Sequence, residues 1–104
     1  MTRQRLENRR PCETFSFESN GQTYTATIGR FSDSRLAEIF LGNAKVGSHS
    51  DSAAKDSAVV ASLALQHGVP LESIRKALCR DSHGRASGPL GAALDIIARD
   101  NQYR

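Results

Sequence analysis

The chain has no tryptophan, one methionine, two cysteines and three prolines among its 104 residues. Two cysteines, Cys12 and Cys79, are too few to staple a small secreted domain, so a reduced, cytoplasmic setting is expected. Four Phe and two Tyr are a thin supply for a stacking platform on single-stranded nucleic acid. Long apolar runs are also missing. Stretches such as Leu63-Ala64-Leu65 fall far short of a membrane span, and no membrane association is expected. Met1 is followed by arginines rather than by an apolar stretch, which gives no secretory signal. At about 100–200 residues per domain, the length fits one domain with one modest core. It leaves no room for most large enzyme architectures. What is present, 38% hydrophobic and 24% charged residues, suits an ordinary globular domain.

The net charge of +3 is not spread over the chain. Arg3, Arg5, Arg9 and Arg10 against Glu7 account for all of it, and the remaining residues balance. Residues 1–11 therefore read as a basic, flexible N-terminal arm ahead of a neutral domain at 12–99 and a polar tail at 100–104. Such an arm neutralises phosphates by counterion release, or simply stays solvated.

The front half alternates in the period of a strand. Residues 13–18 place Phe15 and Phe17 on one face. Asn20-Gly21 follows, a hairpin signal because both central residues of that turn need positive φ. Residues 22–30 put Tyr24, Ala26 and Ile28 on one side and Thr23, Thr25 and Thr27 on the other. After a turn at 31–34, residues 35–41 form a third strand, with Ala37, Ile39 and Leu41 opposite Leu36, Glu38 and Phe40. Leu36 and Phe40 suggest that both of its faces are partly covered.

Residues 42–48 break the alternation with Gly42 and Gly47 and lead to a helix start capped by Ser50 or Asp51. A helix is expected over 52–67, with Val59 and Leu63 on its apolar face and Gly68 ending it in a left-handed conformation. A second helix is expected over 71–79 with Leu71, Ile74 and Leu78 as its stripe. A polar loop follows at 81–88, and Pro89 opens a third helix carrying Leu90, Leu94 and Ile97. The expected fold is α+β: a three-stranded antiparallel sheet followed by three helices packed on one face.

Chemistry is sparse. His49, His67 and His83 have no local nucleophile signature around them, and no catalytic residue is assigned. His67 suits a contact with the helix C-terminus. Cys12, Cys79, His49 and His83 could together supply four zinc ligands, but no closely spaced ligand pair exists, so no metal and no cofactor is expected. The best anion-binding element is the loop of Gly42, Asn43, Lys45, Gly47, Ser48 and Ser50, where backbone N–H groups, a helix N-terminus and a lysine meet. It is not a P-loop, because no Lys-Ser pair follows the glycines.

The run from Tyr24 through Ile28-Gly29-Arg30, then Arg35-Leu36-Ala37-Glu38-Ile39-Phe40-Leu41, then Lys45-Val46-Gly47-Ser48, resembles the C-terminal segment of adenosylcobalamin-dependent (class II) ribonucleotide reductases. Ala61-Ser62-Leu63-Ala64-Leu65-Gln66-His67-Gly68-Val69-Pro70 is similar to the helix and stop that follow there, and residues 74–78 to the next helix. This module is the TSCPD domain, and the resemblance covers about residues 22–98. Gly42-Asn43-Ala44-Lys45 is similar to a stand-alone branch of it. The motif that names the family falls on Ala86-Ser87-Gly88-Pro89-Leu90, with Gly88 in the place of Cys and Leu90 in the place of Asp. One branch carries four cysteines. Cys12 and Cys79 stand near two of those positions and two are missing, so a four-thiolate site is excluded.

Radical reduction of a ribonucleotide needs a large barrel, a thiyl-forming cysteine, a cobalamin site and a reducing dithiol. The resemblance therefore implies a small accessory module without reductase chemistry, even though a name transferred by similarity would read ribonucleoside-diphosphate reductase. Its expected partner is a protein, a nucleotide or another anion bound at the loop of residues 42–50. The alternative is nucleic acid bound by Arg3, Arg5, Arg9 and Arg10. Two open sheet edges also predict self-association into a dimer or larger assembly.

Overall fold

The computed structural model describes residues 2–101. The expected α+β order is observed: β1 (Cys12–Ser19), β2 (Gln22–Arg30), β3 (Leu36–Asn43), α1 (His49–Gln66), α2 (Leu71–Ala77) and α3 (Pro89–Asn101). The strands form one antiparallel sheet in the order β1-β2-β3. Asn20 and Gly21 both have positive φ, 52° and 76°, as the two-residue hairpin requires. Gly68, at φ 93°, ends α1: its N–H donates to the Leu65 carbonyl and that of Val69 to Ala64, the paired bonds of a Schellman stop.

The strand register gathers Phe15 and Phe17, then Ala26 and Ile28, then Ile39 and Leu41, on one side of the sheet. These meet Leu90, Ala93, Leu94 and Ile97 of α3 and the small side chains of α1 in a single core. The opposite side carries hydroxyls, with Thr14 and Thr27 3.2 Å apart across the strands. At Gly29/Arg30 the β2–β3 register shifts, and the extra residue lets consecutive Leu36 and Ala37 both be buried. The idea of cover over both Leu36 and Phe40 is half corrected: Leu36 is buried, but Phe40 is 55% exposed.

The buried side of α1 also differs from expectation. Val59 and Leu63 are exposed, and the inward face is Ala54, Ala58, Ala61 and Leu65. The reason is that α1 runs along the free edge of β3 and hydrogen-bonds to it. Gln66 Nε2 donates to the Ala37 carbonyl, Ser62 Oγ bonds both the N–H and the carbonyl of Ile39, and Asp51 Oδ1 accepts from the Asn43 N–H. Alternate residues of a strand present their backbone groups to the same edge, and side chains one turn apart on a helix line one face. Polar side chains at near-turn spacing are thus what an edge strand needs, and alanines between them allow the close approach.

The arm is joined to the body at several points. Arg10 binds the buried Glu38 carboxylate through Nε and, at 3.0 Å, through Nη2. Arg3 Nε reaches Gln66 Oε1 at 2.5 Å, and the Gln4 N–H donates to the Gln66 carbonyl at 2.7 Å. Gly29 lies opposite Glu38, where an added Cβ would meet Oε2 and stand 2.9 Å from Cγ. Gly29→Ala therefore pushes Glu38 off Arg10. We expect it to cost about 1–3 kcal/mol in denaturant unfolding; an unchanged midpoint would show that Glu38 has room to move.

Two ends differ from the sequence reading. The second helix stops at Ala77 rather than Cys79, because Leu78 is extended (ψ 153°) and the chain then enters a bridge between Arg80 and Ala86. The third helix continues through Asn101, so Arg99 and Asp100 are helical; residues 102–104 of the expected tail lie outside the described residues. Asp95 of α3 accepts from both Arg75 and Arg80, which fastens α2 and the following loop to α3. The two guanidinium groups, Arg80 foremost, hold its carboxyl below the ordinary carboxylate range.

Candidate functional site

Gly42 and Asn43 are the last residues of β3 rather than the start of a loop, paired with Thr25 and Tyr24 of β2. The connection to α1 is accordingly short. Its cap is Ser48, not Ser50 or Asp51: the Ser48 hydroxyl accepts from the Asp51 N–H at 3.1 Å. Gly47, at φ 80°, makes the turn into the cap.

Asp51 has a different task. Its side chain is buried, with Oδ1 on the Asn43 N–H and Oδ2 on the Gly47 N–H and on Lys55 Nζ, each at 2.9 Å. These two backbone N–H groups, then Lys55, lower its pKa from 3.8 to about 2. The chain thus places its own carboxylate against part of the loop. Other loop amides are satisfied as well: Ala44 by the Thr23 carbonyl, Lys45 by Asn43 Oδ1 and Ser48 by the Lys45 carbonyl. The bare donors expected along the whole segment are reduced to Val46 and the first turn of the helix. There the N–H groups of His49 and Ser50 have no acceptor among the described residues.

That first turn lines an open cleft of about 510 Å3, together with Gln22, Thr23, Asn43 and Lys45. Lys45 is exposed, and its ammonium has no carboxylate partner among the described residues. Of the six residues singled out in the sequence, Asn43, Lys45, Ser48 and Ser50 come together at this cleft, Gly47 makes the turn behind it, and Gly42 is an ordinary residue of β3 outside its lining. Asp51 was missed as a brace because its partner Asn43 lies eight residues back, beyond any capping pattern. Charge in the cleft favours an anion: Lys45 is free, and Asp51 is offset by Lys55 and by two N–H groups.

The four arginines of the arm divide. Arg3 and Arg10 are engaged with the body, and Arg5 and Arg9 are exposed. The candidate zinc ligands do not converge. Cys12 pairs with Gly29 at the open end of the β1–β2 hairpin, while Cys79 lines a groove beside Tyr24, and Gly29 is roughly 17 Å along β2 from Tyr24. Both thiols are free and exposed. Among the described residues no three His, Cys, Asp or Glu side chains cluster as a metal would require. His67 does what its position suggested, with Nδ1 2.8 Å from the Leu63 carbonyl at the end of α1. No helix among the described residues is long and apolar enough to cross a membrane.

The model of the TSCPD domain matches residues 2–99, which takes in the arm. A vitamin B12-dependent ribonucleotide reductase from Agrobacterium fabrum (strain C58 / ATCC 33970) is 37% identical over 70 residues. That stretch is 67% of this chain and 6% of the reductase. No solved structure matches. A match that runs through all three strands and all three helices settles the kinship: the chain belongs to the TSCPD domain family.

Proposed function

We propose that this TSCPD domain is a cytoplasmic accessory module that performs no reductase chemistry of its own and binds an anionic group in the cleft between β3 and α1. The observation that carries the reading is the meeting of Lys45 with the two unpaired N–H groups of His49 and Ser50 on one open surface. Helix N-termini favour anions through aligned peptide dipoles and free donors, and a lysine adds a full charge. Asn43 and Ser48 keep the loop in shape, and Asp51 fixes the helix against the strand. The separation of Cys12 from Cys79 supports the absence of dithiol chemistry, since a disulfide needs Cα atoms within about 7 Å.

Titration of the labelled full chain with inorganic phosphate tests this. The amide signals of Lys45, His49 and Ser50 are expected to shift together, and Lys45→Ala to weaken binding by about three- to tenfold. A phosphate response confined to the arm, abolished by Arg5→Ala with Arg9→Ala and indifferent to Lys45, would favour nucleic acid on the arm instead. A strong dependence on salt would accompany that outcome.

A further inference from the structure

The cleft continues past the first turn of α1. His49 and Ser50 also border a groove of about 400 Å3 between α1, the end of α2 and the start of α3. Its apolar walls are Tyr24, Ala53, Leu78, Pro89 and Leu90. Tyr24 is only 5% exposed and stacks on Phe17 with ring centroids 5.6 Å apart. Yet its hydroxyl has no hydrogen-bond partner among the described residues. That hydroxyl is not sealed from solvent, so it opens on the groove as a donor and acceptor for whatever lies there. The N–H groups of Leu90 and Gly91, in the first turn of α3, also lack an acceptor among the described residues.

Apolar walls with a few fixed and unmet polar groups are the make-up of a small-molecule site. The kind of molecule follows from those groups. An alkyl chain would fill the walls and leave the hydroxyl and both N–H groups unpaired. A planar heterocycle lays its faces on the walls and turns the polar atoms of its edge toward them. Resting on the anion reading above, we propose that cleft and groove form one site for a nucleoside monophosphate. Its phosphate lies on Lys45 and the first turn of α1, and its base lies in the groove with an edge on the Tyr24 hydroxyl.

The test titrates the full chain with the four common ribonucleoside monophosphates, inorganic phosphate and octyl phosphate. At least one nucleotide is expected to bind about tenfold or more tightly than inorganic phosphate. It is also expected to slow alkylation of Cys79, which lines the groove, but not of Cys12, which is far from it. Tyr24→Phe keeps the stacked ring and should weaken the nucleotide by about three- to tenfold while leaving phosphate unchanged. Ala53→Leu, at an exposed position on the groove wall, should erase the nucleotide's advantage. If phosphate binds and no nucleotide binds more tightly, the groove assignment falls and the anion reading stands. If neither binds, both fall. Octyl phosphate binding above all four nucleotides would overturn the base assignment alone.

Discussion

Replacing Asp51 with alanine will lower the melting temperature by on the order of 10 °C and loosen the chain between Asn43 and Ser48. The carboxylate is the acceptor for two backbone N–H groups and the partner of Lys55. Alanine leaves the Asn43 N–H at the covered edge of β3 with nothing to bond. Asp51→Asn should fall between the two, since an amide keeps one acceptor oxygen but turns a donor toward another donor. The same contacts predict an acid dependence. The folded-state pKa is lowered, from 3.8 to about 2, so the carboxylate stabilises the fold above its unfolded pKa. That contribution is lost as pH falls from about 4 through about 2. Thermal melts followed by circular dichroism between pH 5 and pH 2 should show the wild-type curve dropping more steeply than that of Asp51→Ala. Parallel curves would mean that the loop holds its shape without this residue.

Ser62→Ala is the second large effect, and it removes a single oxygen. Ser62 Oγ accepts from the Ile39 N–H at 2.9 Å and donates to the Ile39 carbonyl at 3.0 Å, in a position that is 8% exposed. Ile39 itself is fully buried, so water cannot readily take over. Two backbone groups left unpaired at about 1–3 kcal/mol each predict a loss of ~2–6 kcal/mol. For a domain whose total stability is about 5–15 kcal/mol, that is a substantial fraction. Urea unfolding of Ser62→Ala beside Val60→Ala separates this from ordinary loss of helix side chains. Val60 is 67% exposed, and its replacement should be close to neutral. Similar midpoints for the two variants would remove the edge contact from the account of stability.

These two residues also mark where the sequence was readable and where it was not. Asn20-Gly21, Gly68 and Pro89 were plain because each acts on its own backbone and its immediate neighbours. The three strands were visible through alternation, since each has one buried side. Helix α1 was placed correctly but turned the wrong way. A search for large apolar groups selects Val59 and Leu63, whereas a helix lying on a strand edge buries alanine, serine and glutamine there. Nothing in periodicity alone distinguishes an edge-covering face from a solvated one. Asp51 was legible only as a helix-start residue, because its partner is on another element. Tyr24 reads as an ordinary inward-facing strand residue, and its place in a groove emerges only where α1, α3 and the segment after α2 meet around it.

Among the described residues, the helix that seals β3 leaves β1 as the rim on which another strand could be added. Growth by strand addition would then have a built-in terminus. Two copies joined β1 to β1 would make a six-stranded sheet blocked at both outer margins, a finite pair rather than a fibre.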